Sequence, residues 1–218
     1  MREKVIRIKG RGIVSMPPDC IQINIKLNET YLSYEESMKA AAESIDEIRK
    51  ALEPYGFSKK DIKTNKFAID SRYESVRDDK GNYNRVFLGY KYNHNLNIEF
   101  DNDNKKLGKV LFSLSKCFCS PEFSIIYKMK DYTEMQKKLL ENAVSDAKIK
   151  AEIIAKASEV QIGDILDIDY SWSDINIYHE DNVMYENMDC CDSQIEAIDL
   201  EAEDLSTSDT VTVTWQII

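Results

Sequence analysis

Between Asn142 and Ala157 the chain places Ala143, Ala147, Ala151 and Ala155 at intervals of four. Residues four apart lie on one face of a helix. A stripe of methyl side chains on that face lets another backbone come close, so the spacing predicts a helix pressed against a sheet or a second helix. The stripe specifies packing and carries no reactive group. Whatever else the chain does, it must build a partner surface flat enough to receive this helix.

Strand-like alternation supplies that surface. A first strand is expected over residues 5–16, with Ile6, Ile8 and Val14 on one face and Gly10 and Gly12 between them. Glycine inside a strand marks a bulge or a close backbone approach. After the turn Pro17-Pro18-Asp19, the residues Ile21, Ile23, Ile25 and Leu27 alternate with polar ones, the period of a half-buried strand. Ser33-Tyr34-Glu35-Glu36 is a capping box, followed by Met38, Ala41, Ile45, Ile48 and Leu52 as an inward stripe and Gly56 as the terminator. Two long strands come next. The first carries Phe67, Ile69 and Tyr73, and the second carries Val86, Leu88, Tyr90, Tyr92, His94, Leu96, Ile98 and Phe100. Asp79-Lys80-Gly81-Asn82 reads as the hairpin loop between them. A helix over about 102–116 buries Leu107, Val110, Leu111 and Leu114, and a strand carries Phe123, Ile125, Tyr127 and Met129. The alanine helix opens at Thr133-Glu134-Met135-Gln136, a second capping box, and a strand is expected over 165–172. The chain closes on Val211, Val213, Trp215 and Ile217. The fold class is therefore α+β. It has an antiparallel sheet with a ferredoxin-like β-α-β-β-α-β core, the long alanine-rich helix and additional flanking strands.

With 218 residues the chain can bury its core as a single unit over 1–218 or as two closely joined lobes. Its charge is uneven. Residues 173–209 hold 12 acids and no Lys or Arg, leaving 39 − 12 = 27 acids against 29 bases elsewhere, about +2. The net −10 thus belongs to one acidic variable segment, which reads as a solvated loop with one short strand near 195–200. The absence of Gly there excludes a calcium-loop pattern. Its Tyr178, Met184, Tyr185 and Met188 also suit a docking arm for a protein partner. Nothing resembles a clustered basic stripe, so nucleic acid is not expected as a partner. No apolar run reaches the roughly 20 residues of a membrane span, and no apolar leader precedes the first strand. A cytoplasmic protein is the expectation. Cys20, Cys117, Cys119, Cys190 and Cys191 are odd in number and closely paired, which does not suit a disulfide framework.

Several segments together resemble the SIMPL-domain family. They are Ile6-x-Ile8-x-Gly10-x-Gly12 with Pro18-Asp19, then Gly89-Tyr90 with Leu96-x-Ile98, then Ala143-x-x-Asp146-Ala147-x-x-Lys150-Ala151-x-x-x-Ala155 with Ile162-Gly163, and finally Val211-x-Val213-x-Trp215-x-Ile217. The chain departs from that pattern at Glu159, where the family often has Gly, and at Ala202-Glu203-Asp204, where Pro often precedes the last strand. The resemblance implies a bacterial protein of unknown molecular role, often of the envelope, with links to stress response and no established catalytic residue.

The residues themselves agree with that implication. No phosphate-cradling Gly loop, no Gly-x-Ser-x-Gly elbow and no helical pair of metal-ligand carboxylates is present. His94 sits in a strand without a partner motif, so a hydrogen-bonded sheet histidine is the expectation rather than a base or ligand. Cys117-x-Cys119 supplies two soft ligands, and a zinc site would need Cys190, Cys191 or His179 folded back to complete it. No catalytic, cofactor or metal residue is therefore assigned. The expected function is a non-enzymatic, self-associating binding or scaffold protein, because so many alternating strands leave edges that need covering. The competing class is a metal-binding or enzymatic protein built on His94 or on the Cys117/Cys119 and Cys190/Cys191 pairs.

Overall fold

The computed structural model describes residues 4–77, 83–170 and 200–218. In chain order the elements are β1 (Val5–Met16), β2 (Cys20–Tyr31), α1 (Tyr34–Leu52), β3 (Lys63–Arg77), β4 (Tyr83–Asp101), α2 (Asn104–Ser115), β5 (Glu122–Lys128), α3 (Thr133–Ala157), β6 (Ile162–Asp169) and β7 (Leu205–Ile217). They divide into two compact units, one of β1, α3, β6 and β7, the other of the elements from β2 to β5. Among the described residues no helix is long and apolar enough to cross a membrane.

The β2-to-β5 unit is the ferredoxin-like part. Its sheet runs β3-β4-β2-β5 with every neighbouring pair antiparallel. β2 and β3 therefore point the same way with β4 between them, the split β-α-β arrangement. Ile21, Ile23, Ile25 and Leu27 of β2 and Leu96, Ile98 and Phe100 of β4 bury one sheet face beneath Ile48 and Leu52 of α1 and Leu107, Val110 and Leu114 of α2. The other face is polar, with Asn24 opposite Asn97 and Asn28 opposite Asn93. A one-sided antiparallel sheet alternates in this way because only one face is covered.

Both helices start where side chains satisfy their free amides. Ser33 and Glu36 form the reciprocal capping box of α1, and Asp103 accepts from the Lys105 and Lys106 amides of α2. The inward line of α1 differs from the sequence expectation. Met38 is 43% exposed, and the buried positions are Ser37, Ala41, Ser44, Ile48 and Leu52. The two serines tolerate burial because each hydroxyl finds a partner on β4: Ser37 Oγ donates to the Tyr90 carbonyl at 2.6 Å, and Ser44 Oγ lies 3.0 Å from the Tyr92 hydroxyl. Gly56 has φ 84°, as a terminator should, but it closes a 3₁₀ turn over Glu53–Tyr55 rather than α1 itself.

The β1/α3/β6/β7 unit is a three-stranded antiparallel sheet ordered β1-β7-β6 with α3 packed on it. The flanking strands anticipated from the sequence thus make a sheet of their own. The alanine stripe is where it was expected: Ala143, Ala147 and Ala151 are fully buried, against Ile6, Val211, Val213 and Trp215. The reason for Gly10 and Gly12 lies in the same seam. A Cβ on Gly10 would collide with the Ala143 carbonyl oxygen and sit 2.6 Å from the Ala147 nitrogen, and one on Gly12 would meet the Leu139 carbonyl. Strand backbone and helix backbone touch, and only hydrogen on one side and methyl on the other allow it. Side chains of α3 also serve β1 directly. Asp146 Oδ2 accepts from the Arg11 amide at 2.7 Å, and Asn142 Nδ2 donates to the Ile13 carbonyl at 3.0 Å. Lys150 holds the same Asp146 carboxylate at 2.6 Å. The Lys150 hydrogen bond and then the Arg11 amide keep that carboxyl below the usual Asp range.

Three boundaries are corrected. The start of α3 is not a capping box, because Tyr132 holds the cap position without a side-chain bond. The Thr133 amide and hydroxyl both go to Asp131. β6 covers Ile162–Asp169, starting three residues before the expected 165, and residues 171 and 172 of the expected strand lie outside the described residues. Leu205 to Asp209, assigned from charge to the acidic segment, are the first residues of β7 and pair with Met16 back to Gly12. Leu205 and Thr207 are buried there, because β7 must run as long as the twelve-residue β1 it covers. The hairpin loop Asp79-Lys80-Gly81-Asn82 and the short strand near 195–200, apart from Leu200, lie outside the described residues.

Candidate interaction surface

β2 stops pairing with β4 at the Tyr31–Tyr90 rung. Among the described residues β3 and β4 continue beyond it as a two-stranded ribbon, and residues 71–77 and 83–88 are all exposed. A register shift between Arg72 and Tyr73 leaves Leu88 as the extra residue, next to Gly89 at φ 133°. Gly89 is required there, since a Cβ would strike the Tyr31 carbonyl. The bulge reverses the side-chain alternation. Phe87, rather than the expected Val86 and Leu88, joins Tyr90 on the helix side of the sheet.

That switch assembles a line of rings. Tyr34 at the start of α1 meets Tyr90 edge-on at 5.7 Å, Tyr90 meets Phe87 at 5.3 Å, and Phe87 meets Tyr73 at 5.4 Å. The Arg85 guanidinium caps the line 4.8 Å above the Tyr73 ring. Tyr83, 73% exposed, lies further out. Over residues 71–77 and 83–88 the bases Arg72, Arg77 and Arg85 outnumber Glu74, a local 3 − 1 = +2. A two-stranded ribbon has no core of its own, and here its aromatic side chains stand exposed beside the edge strand β3. Smaller exposed apolar groups occur on β6 (Ile165, Leu166, Ile168) and on α3 (Ile149, Ile153).

His94 lies elsewhere on β4 and is buried. Its Nε2 is 2.9 Å from Thr64 Oγ1, and Phe67 packs edge-on at 5.1 Å. Burial, and then the Arg49 charge, push its pKa below the ordinary histidine value, so the ring is neutral. Among the described residues Nδ1 has no partner. This is a sheet histidine, remote in character from a solvent-facing base.

Cys117 and Cys119 flank Phe118 in a turn after α2, closed by the Ser120 amide on the Cys117 carbonyl at 3.2 Å. Glu47 of α1 grips that turn, accepting from the Phe118 amide at 2.6 Å and the Cys119 amide at 3.1 Å. Among the described residues no group of three or more His, Cys, Asp or Glu is placed to hold a metal. Cys190, Cys191 and His179 lie outside the described residues. Sequence reasoning missed the roles of Tyr34, Tyr73, Arg85, Phe87 and Glu47. Gly89 inside a strand was the one available signal for the bulge.

A split β-α-β sheet and, in the same chain, a glycine-and-alanine seam define an α+β protein of two antiparallel sheets. The chain belongs to the SIMPL family, described as a protein of unknown function (DUF541), which it matches over residues 6–215. No curated protein matches it in sequence.

Proposed function

We propose that this SIMPL protein is a non-catalytic binding or scaffold protein that self-associates through the β3–β4 ribbon, in the stress-linked setting its family resemblance implies. The observation that carries the reading is the uncovered aromatic line from Tyr34 to Tyr73 on a free-edged ribbon. Charge supports a second copy as the occupant, since these ribbon residues sum to +2 while residues 173–209 of another copy hold 12 acids and no Lys or Arg. Opposite charges across such a contact steer association and weaken with salt. His94 and Glu47 have structural work within their own unit, which also favours binding over catalysis.

Solution mass measured against protein concentration and ionic strength tests this. The native chain should exceed the monomer mass at low salt and shift toward monomer as salt rises. Tyr73→Ser combined with Arg85→Glu should be monomeric with an unchanged unfolding midpoint. A native chain that stays monomeric at low salt and high concentration sinks the reading. Association that survives the ribbon variant but is lost in Ile149→Glu plus Ile153→Glu moves the surface to α3.

A further inference from the structure

The turn after α2 brings two thiols together. Cys117 is buried in the core of its unit, while Cys119 is only partly covered. Only Phe118 separates the two cysteines along the turn, and Cys117 Sγ reaches the Ser113 carbonyl at 3.5 Å. Residues two apart span at most about 7 Å when extended and less in a turn. A disulfide needs Cα atoms about 4.4–6.8 Å apart. The turn is already held from both ends, by the Ser120-to-Cys117 backbone bond and by the Glu47 carboxylate on the Phe118 and Cys119 amides. Ser120 takes a left-handed φ of 41° to complete it. Phe118, between the thiols, is 97% exposed, so solvent reaches this side of the turn.

We propose that Cys117 and Cys119 are a reversible redox pair that closes an intramolecular disulfide by exchange with a small-molecule disulfide of the glutathione type. Cys119, the more accessible sulfur, attacks as thiolate on one sulfur of the oxidised reagent. The reagent's S–S bond breaks, a mixed disulfide forms on Cys119, and one glutathione thiolate leaves. Cys117 sulfur then attacks Cys119 sulfur, the mixed disulfide breaks, and the second glutathione thiolate leaves. The two protons given up by the cysteines end on the two released thiolates. The protein dithiol loses two electrons, and the reagent gains them.

Accessibility, not charge, sets this order. The Cys119 thiol, donating to the Cys117 sulfur, lowers the pKa of Cys117 and so eases loss of the pair's first proton; burial and Glu47 oppose it. The same hydrogen bond, with burial and Glu47, raises the pKa of Cys119. The first charge therefore favours Cys117, and Cys119 attacks through the minor fraction in which it is the thiolate, being the sulfur the reagent can reach. The Cys117–Cys119 turn shares no residue with the aromatic line of the ribbon.

The test is a peptide map of the full chain after treatment with oxidised glutathione, with remaining thiols alkylated before digestion. The expected result is a peptide in which Cys117 and Cys119 have lost two hydrogens and both alkylation sites, restored by dithiothreitol. Cys117→Ser should trap a stable glutathione adduct on Cys119. Cys119→Ser should leave Cys117 unmodified in the folded chain, as shown by its labelling only after denaturation. Alkylation of both cysteines in the treated wild-type chain overturns the proposal. So does a bond from either one to Cys20, Cys190 or Cys191. The wild-type map decides by itself if a variant fails to fold.

Discussion

The α3–β1 seam and the outer β3–β4 ribbon are both strand surfaces that meet something flat, and they are finished in opposite ways. On β1 the side chains shrink to hydrogen, α3 offers methyls, and Asn142 and Asp146 take up backbone groups of the strand. Nothing larger fits, and nothing further is needed. On the ribbon the side chains grow to Tyr73, Tyr83 and Phe87, and all are exposed. One surface is closed by its own chain. The other is completed, on the reading above, by a second copy. Small residues in a repeat therefore report a finished contact, and large aromatic ones beyond the last covering strand report an unfinished one.

The sharpest way to break this comparison is to add one carbon to the seam. Gly10→Ala places a Cβ against the Ala143 carbonyl and the Ala147 nitrogen, backbone atoms that cannot swing aside. The expected cost is about 3 kcal/mol or more, the upper end of overpacking, read as a large drop in unfolding midpoint. A midpoint within a degree or two of wild type means that α3 does not sit on β1 as described.

Ala147→Leu adds its bulk to the other side of the same contact and should cost about 1–3 kcal/mol. Lys148→Leu, one residue along and exposed, is the control and should be nearly neutral. Equal denaturant midpoints for the two would place the buried face of α3 wrongly.

The end of α3 offers a gain. Glu159 takes φ 54°, with the Val160 amide on the Ala155 carbonyl at 3.0 Å and its own amide on the Lys156 carbonyl at 3.3 Å. That is the glycine-type helix terminus, occupied by a residue with a Cβ. Glu159→Gly should stabilise by about 1 kcal/mol, the penalty of a left-handed non-glycine residue. A fall in the thermal midpoint would show that the Glu side chain contributes more than its backbone strain costs.

A smaller effect sharpens the difference between buried and exposed polar groups in the β2-to-β5 unit. His94 has a depressed pKa in the fold, through burial first and the Arg49 charge second. Its contribution is fully present above the unfolded histidine pKa of about 6.5 and is lost as pH falls from there through the lower folded value. Wild type should lose midpoint on acidification from about pH 7 to about pH 5, and His94→Gln should lose less over the same window. Parallel pH profiles would mean that His94 is charged or solvated in the fold.

The least change in monomer stability is expected on the ribbon. Tyr83→Ser removes a large side chain with 73% exposure and should move stability by no more than about 0.5 kcal/mol. A drop as large as that of Ala147→Leu, measured under monomeric conditions, would reveal a core under the ribbon and erase the contrast.

Much of this was legible from local pattern. The alternations of β1 and β2, of β4 from Tyr90 onward and of β7 from Val211 onward, the capping box of α1 and the alanine face of α3 appear in the structure at the residues the sequence names, because side-chain period and volume are properties of short stretches. The β-α-β-β-α-β order was also legible, since element order is written along the chain. The thiol pair was visible as Cys117-x-Cys119, but Glu47, 70 and more positions earlier, was not. Met38 was misplaced because a serine hydroxyl reads as polar until its partner on β4 is known.

By itself, then, the sequence determined which stretches are helix or strand, which faces are apolar, and the family. Tertiary structure alone decided that the flanking strands form a separate sheet, that β7 takes its first residues from the acidic stretch, and that a bulge at Gly89 turns Phe87 toward Tyr90. Those outcomes depend on which strand ends first and on where a distant carbonyl stands. They are settled by pairing register and backbone contact between segments far apart in the chain, which no local period encodes.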